Sequence, residues 1–169
     1  NNHADITQGT IDFFKQASNN KVNYSVVETA HVDNWADWPI KTDGFKYTEA
    51  EYLAVMGNQS PAHSPDSVNY NAIVNNPTFD LCTKFNNGEI DEVWIYNGPY
   101  FGFYESTLAG NNSYWLNSPP VPGPYACNDL MPIMGPSPER TVTEAVHNFG
   151  HRTESTMQKT YGSWNQNNI

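Results

Sequence analysis

Apolar residues recur at helical spacing near both ends of the chain. Ile6, Ile11 and Phe14 fall on one side of a helix predicted over residues 6–18. A second helix is predicted over residues 138–161, with a proline suited to its first turn. Two long amphipathic helices are therefore expected, one near each end of the chain.

Runs of β-branched and aromatic residues predict three strands between these helices. The clearest is residues 90–96, which Asn-Asn-Gly precedes and Gly-Pro follows. Residues 21–32 are rich in Val, Tyr and Thr, and residues 130–134 form a short apolar run. Short helices are expected in between, because Thr48 and Glu51 match a capping box and Ser67 or Asn69 can cap another helix.

This order of elements favours an α/β fold with a small, partly parallel sheet flanked by helices. Residues 98–129 contain many Pro and Gly residues and are predicted to form a long irregular loop over one end. Residues 1–169 are expected to form a single domain, with a frayed tail over residues 162–169.

The excess of acidic residues argues against two classes of binding partner, nucleic acids and anionic membranes. Eight Lys and Arg residues against eighteen Asp and Glu residues give a net charge of −10. Binding to nucleic acid or to an anionic membrane surface needs Lys and Arg, so neither is expected. The sequence contains no apolar run of 18 residues, so membrane insertion is not expected either. The oligomeric state is left open.

The two cysteines and the amide-rich composition favour an extracellular location. Cys82 and Cys127 suit either one disulfide or two buried thiols, and the 22 Asn residues with few Lys favour the disulfide. A chain that begins Asn-Asn-His, without Met, is expected to be a processed chain or an excised domain.

The last helix carries the strongest candidate chemistry. His147 and His151 are four residues apart, so both rings can reach one divalent metal ion, for which zinc and calcium are the candidates. Asn148 stands where the metalloprotease motif has a glutamate. The alternative is an ordinary solvent face with pairs of opposite charge. The opposite, apolar face is expected to pack on residues 90–96 and consists of Val142, Val146, Phe149 and Met157.

Carboxylates near these histidines complete a predicted catalytic set. In a metal-dependent mechanism a bound water is the nucleophile, and in a metal-free mechanism two carboxylates act as acid and base. An arginine in the same cluster can orient a carboxylate. The predicted catalytic residues are Glu105, Glu144, Glu154 and Arg152.

An aromatic segment, residues 98–120, is the second candidate site. Flat aromatic rings beside Asn and Glu are typical of a sugar-binding cleft, although such rings also pack under long loops. A loop with Trp35 and Trp38 can contribute to the same cleft. The predicted substrate-binding residues are Tyr100, Tyr104, Trp115 and Asn117.

Several motifs resemble a family of secreted bacterial proteins that often carry extra extracellular modules. They are GEIDEVW at 88–94, GPYFGFYES at 98–106, WLNSPP at 115–120 and FGHRTES at 149–155, with KTDGFKY at 41–47 also similar. The resemblance extends over about residues 20–160 and implies an extracellular setting. It implies no activity and no catalytic residues.

Two functions are expected from these features. The first is a secreted hydrolase-like domain whose His/Glu site, metal-dependent or with paired carboxylates, acts on an extracellular polymer. The alternative is a non-catalytic extracellular module that binds a polymer, a small glycan or a protein partner through residues 98–120. A buried pair of carboxylates or a metal cluster would favour the enzyme, and an exposed, roughly coplanar row of Trp and Tyr side chains would favour the binding module.

Overall fold

A small mixed sheet lies at the centre of the fold. The computed structural model describes residues 2–32 and 39–162, and in this part the sheet has three strands. They are β1 (Val93–Trp94), β2 (Ser106–Ala109) and β3 (Met131–Met134), in the order β1-β3-β2. Strand β3 pairs parallel with β1 and antiparallel with β2. The predicted α/β class with a partly parallel sheet is therefore confirmed.

Two long helices pack against each other beside this sheet, and three short ones lie between them in sequence. Helix α1 contacts α5, which also contacts β2. A Cβ on Gly9 of α1 would lie 2.5 Å from Val142 of α5, so the absent side chain permits this approach. The helices are α1 (His3–Ala17), α2 (Glu49–Met56), α3 (Tyr70–Val74), α4 (Leu81–Asn86) and α5 (Val142–Tyr161).

Local sequence explains where several helices begin. The capping box predicted for α2 is present, since Thr48 accepts from the Glu51 backbone N–H and the Glu51 side chain accepts from Thr48 N–H. Asn69, one of the two residues predicted as the cap, caps α3, and Asn2 caps α1. The predicted start of α5 at Pro138 is wrong, because the helix begins at Val142.

The main core joins α3 and α4 to β2 and β3 and includes the Cys82–Cys127 disulfide. The predicted disulfide is therefore confirmed, and it closes a separation of 45 residues. Ala109, Met131, Ile133 and Val68 are almost fully buried around it.

The predicted strand over residues 21–32 is wrong. Residues 22–32 have no strand structure, and Val26 and Val27 are exposed. A Val-rich run becomes a strand only where it meets a free sheet edge, and this segment is instead held by contacts such as Lys84 Nζ to Glu28. The strand predicted over residues 90–96 is also shorter than expected, since only Val93 and Trp94 form strand β1.

Strand β2 lies inside the predicted irregular loop over residues 98–129. Its four residues are all buried, so it has no alternating pattern by which to recognise it. Residues 116–121 then run alongside β2 on the side away from β3. Ser106 Oγ donates to the Leu116 carbonyl, Thr107 Oγ1 donates to the Pro119 carbonyl, and Val121 N–H donates to the Leu108 carbonyl. This segment covers the edge of the sheet.

Only part of the predicted apolar face of α5 is fully buried. Phe149 is buried and its ring centroid lies 5.1 Å from that of Trp94 in β1. Val142, Val146 and Met157 are only half-buried, and α5 also contacts α1. Among the described helices, none is long and apolar enough to cross a membrane.

Candidate functional site

The histidines of α5 lie together on its accessible side, as their spacing predicts. The Nε2 atoms of His147 and His151 are 2.9 Å apart. On its other side, His151 Nδ1 lies 3.0 Å from Glu154 Oε2. The His151 side chain is 36% exposed and that of Glu154 is 63% exposed, so solvent and ligands can reach this group.

The hydrogen bonds of the described residues do not bring Glu105 to these histidines. Glu105 Oε2 accepts from Asn117 Nδ2 at 2.6 Å, whereas His147 and His151 contact each other and Glu154. Within residues 2–32 and 39–162, no group of three or more His, Cys, Asp or Glu side chains is arranged to hold a metal ion. Glu105 therefore belongs to one hydrogen-bonded group and the two histidines to another.

Arg152 orients a carboxylate that sequence reasoning did not single out. Its Nη1 donates to Glu92 Oε2 at 2.5 Å, and Trp94 Nε1 donates to Glu92 Oε1 at 2.5 Å. The Glu92 side chain is only 8% exposed, so both of its oxygens are held in a nearly dry environment. The signal in the sequence was the spacing of Glu92 and Trp94, which alternation along a strand places on the same side.

Tyr24 completes this buried group. Burial raises the pKa of its phenol, the negative charge of Glu92 raises the pKa further, and Arg152 acts in the opposite direction. Its ring also packs edge-on against Trp94 and Phe149. The group fastens α5 to β1, which gives Arg152 a structural role.

Glu144, another predicted catalytic residue, lies near the start of α5. Its Oε2 is 3.4 Å from Arg140 Nη1, and both side chains are largely accessible to water. This pair matches the alternative interpretation of α5 as a solvent face with opposite charges at i and i+4.

Three of the six aromatic rings of this segment pack in the core. Phe101 is buried and stacks on Tyr52, with ring centroids 4.5 Å apart. Tyr104 stacks on Tyr70 at 5.7 Å, and the Tyr70 hydroxyl accepts from the Tyr104 backbone N–H. Tyr104, predicted to bind substrate, is therefore fixed by packing.

Two aromatic side chains of this segment reach solvent. Trp115 is 61% exposed and Tyr100 is 40% exposed. Next to Trp115, the Tyr114 hydroxyl donates to Thr156 Oγ1, and the Lys159 ammonium lies 5.6 Å from the Tyr114 ring centroid. Trp115 thus projects from a backbone that α5 supports. Trp35 and Trp38, which the sequence suggested for the same cleft, lie outside the described residues.

Asn117, two residues after Trp115, forms a polar pair with Glu105. Asn117 has a left-handed backbone, with φ of 58°, which directs the chain into the segment that covers β2. Ser118 Oγ donates to the Ser106 carbonyl, so the residues that follow Asn117 and Glu105 are fastened together. This contact holds the two chain segments together next to the Asn117–Glu105 bond.

A second polar region was missed by sequence reasoning. Lys41 is 1% exposed, and its Nζ lies 2.5 Å from both Asp66 Oδ1 and the Tyr100 carbonyl. Nearby in sequence, His63 Nε2 lies 2.7 Å from Asp43 Oδ2. The backbone N–H of Phe45, and then His63, hold the pKa of Asp43 below its usual value. In the sequence this region corresponds to the KTDGFKY motif at 41–47, and its first residue, Lys41, is the buried lysine.

Comparisons of the chain with protein-family models, with curated proteins and with solved structures found no match. The resemblance to secreted bacterial proteins stays a prediction.

Proposed function

We propose that this chain is a non-catalytic extracellular module that binds a neutral carbohydrate polymer at the Trp115 surface, defined as Trp115, Asn117 and Glu105. The observation that carries the proposal is the exposure of Trp115, at 61%, two residues before Asn117, whose side chain is bonded to the Glu105 carboxylate. The disulfide is compatible with the extracellular location.

The Trp115 surface combines the two contacts that a sugar ring requires. A flat indole face packs against the C–H groups of a pyranose, and this burial of apolar area favours binding. Asn117, two residues along the chain, and its partner Glu105 offer amide and carboxylate groups to the hydroxyls of the sugar. Because the pair is already held at 2.6 Å, little side-chain entropy is lost when it accepts a ligand.

The charge of the chain favours a neutral rather than an acidic polymer. The net charge is −10, and Glu105 adds a carboxylate at the surface itself. A polymer with many carboxylates would be repelled both at long range and at the site. Neutral glucans and xylans are therefore the expected class of ligand.

Affinity electrophoresis tests the proposal directly. The chain is run in native gels containing soluble β-glucan, xylan or polygalacturonate, and we expect retardation in a neutral polymer only. Trp115→Ala is expected to weaken binding at least about tenfold, which corresponds to a loss of about 1.4 kcal/mol. Tyr161→Ala is the matched control, since Tyr161 is also an exposed aromatic residue at 75%.

Two results would contradict the proposal. One is a wild-type chain that none of the neutral polymers retards. The other is a Trp115→Ala variant that is retarded as strongly as the wild type while Tyr161→Ala behaves identically.

A metal-dependent hydrolase is the second candidate, favoured by the contact between His147 and His151. In this case the predicted site on α5 activates a water against the bound polymer. Reducing-sugar release from a polymer that binds, measured with and without added Zn²⁺, separates the two functions. Release that requires Zn²⁺ and is lost in His151→Ala supports the hydrolase, and binding without release supports the module.

A further inference from the structure

Two histidine rings on the accessible side of α5 present their Nε2 atoms to each other. We propose that His147 and His151 bind one transition-metal ion, such as Zn²⁺, Ni²⁺ or Cu²⁺, through their two Nε2 atoms, with Glu154 holding His151 in place. This proposal is independent of carbohydrate binding at Trp115.

The distance between the two ring nitrogens is close to what a shared ion needs. Two nitrogens bound to one tetrahedral zinc at about 2.0–2.1 Å lie about 3.3 Å apart. In the structure the two Nε2 atoms are 2.9 Å apart. Small rotations of the two exposed side chains, amounting to about 0.4 Å between the nitrogens, would therefore admit the ion without moving the helix.

Glu154 gives His151 the protonation state that a ligand needs. A carboxylate accepts a hydrogen bond, so the proton of His151 lies on Nδ1, 3.0 Å from Glu154 Oε2. The lone pair of His151 then lies on Nε2, which faces His147. A carboxylate that holds the outer nitrogen of a histidine in this way is a recurring partner of protein metal ligands.

The tautomer of His147 must change when the ion binds. With the lone pair of His151 on Nε2, the 2.9 Å contact is made by the Nε2–H of His147, which donates. The ion takes the place of this proton, and the proton moves through water to His147 Nδ1. Both imidazoles remain neutral, so the charge of the site changes only by that of the ion.

The donor set determines which ions the site selects. Imidazole nitrogen suits zinc, copper and nickel, whereas calcium prefers six to eight oxygen ligands. Calcium, one of the two ions suggested by the sequence, is therefore not expected here. Among the described side chains no third ligand is arranged at the site, so water would fill the remaining positions.

Titration calorimetry of the untagged full chain with ZnCl₂, NiCl₂ or CaCl₂ tests this site. We expect one Zn²⁺ or Ni²⁺ per chain and no heat from Ca²⁺. His147→Ala and His151→Ala should each weaken binding at least about tenfold, because one imidazole replaces a chelating pair. Glu154→Gln should weaken it by about tenfold, the lower end of the effect of removing such an outer partner.

His63→Ala is the matched control. His63 also contacts a carboxylate, that of Asp43, and is partly accessible. Its removal should leave Zn²⁺ affinity unchanged, and circular dichroism should show that all variants remain folded. Wild-type affinity in His147→Ala, or a loss in His63→Ala equal to that in His151→Ala, would overturn the proposal.

Discussion

Arg152 Nη1 lies 2.5 Å from Glu92 Oε2, which joins α5 to the residues that lead into β1. The two side chains are 22% and 8% exposed, so this ion pair is mostly removed from water. Trp94 binds the second oxygen of Glu92. A carboxylate held by two donors in this way is expected to fix the position of the helix that carries the histidines.

Neutralising Glu92 should destabilise the fold markedly. Glu92→Gln removes one charge and leaves the Arg152 guanidinium without its counterion, and breaking such a pair costs about 3–5 kcal/mol. We expect about 3 kcal/mol, because the amide can still accept from Trp94. The free energy of unfolding in urea measures this loss.

Glu144→Gln is the control for this substitution. It makes the same chemical change in a pair with Arg140 that is exposed to water, where a loss of about 0–1 kcal/mol is expected. Equal effects of Glu92→Gln and Glu144→Gln would mean that the Glu92 pair is no stronger than a surface contact.

Removing the Phe149 ring tests the packing of α5. Phe149 is buried between Trp94 and Phe14, with ring centroids 5.1 Å and 4.9 Å away. Phe149→Ala is expected to cost about 3–5 kcal/mol, because neighbouring rings cannot close the cavity completely. Phe13→Ala, at a position that is 45% exposed, should cost far less. A thermal melt of each variant gives the comparison.

Short sequence motifs predicted those helix caps and strands that depend mainly on neighbouring residues. The capping box of Thr48 and Glu51, the Asn69 cap and the strand near Met131 were all recognisable, because each depends on a few adjacent residues. The disulfide followed from composition and from the count of two cysteines.

Features that depend on distant contacts were not predictable in this way. Strand β2 is buried on both faces, so Ser106 and Thr107 gave no alternating pattern. Residues 21–32 have strand-forming side chains but no sheet edge to join. At the site, the spacing of His147 and His151 predicted their contact, whereas the pairing of Glu105 with Asn117 depends on the course of residues 116–121 beside β2.

Buried tyrosines should make the fold sensitive to high pH. Burial is the largest cause that raises the pKa values of Tyr24, Tyr70 and Tyr96 above that of an exposed phenol. The unfolded chain therefore loses these protons first, and the stability present below about pH 10 falls as the pH rises toward the folded pKa values. Urea denaturation at pH 8, 9.5 and 11 measures the fall.

The tyrosine contribution is isolated by a variant. Tyr96→Phe removes one raised phenol, so its stability should decline less steeply between pH 9.5 and 11 than that of the wild type. Tyr161→Phe, at an exposed position, should follow the wild-type curve. Parallel curves for all three proteins would show that ionisation of Tyr96 is not linked to unfolding.

Two glycines with opposite surroundings provide the last test. Gly110 follows β2 with φ of +107°, and a Cβ there would lie 1.8 Å from the Asp129 carbonyl oxygen. Gly110→Ala must therefore displace backbone next to β3, and we expect a loss of at least about 2 kcal/mol. Gly150 lies within α5, where a Cβ would meet nothing within 4 Å. Gly150→Ala should instead stabilise the chain by about 0.5–1 kcal/mol, because alanine loses less conformational entropy in a helix. Opposite shifts in melting temperature are the expected result, and a neutral Gly110→Ala would show that the approach of Asp129 is not required for the fold.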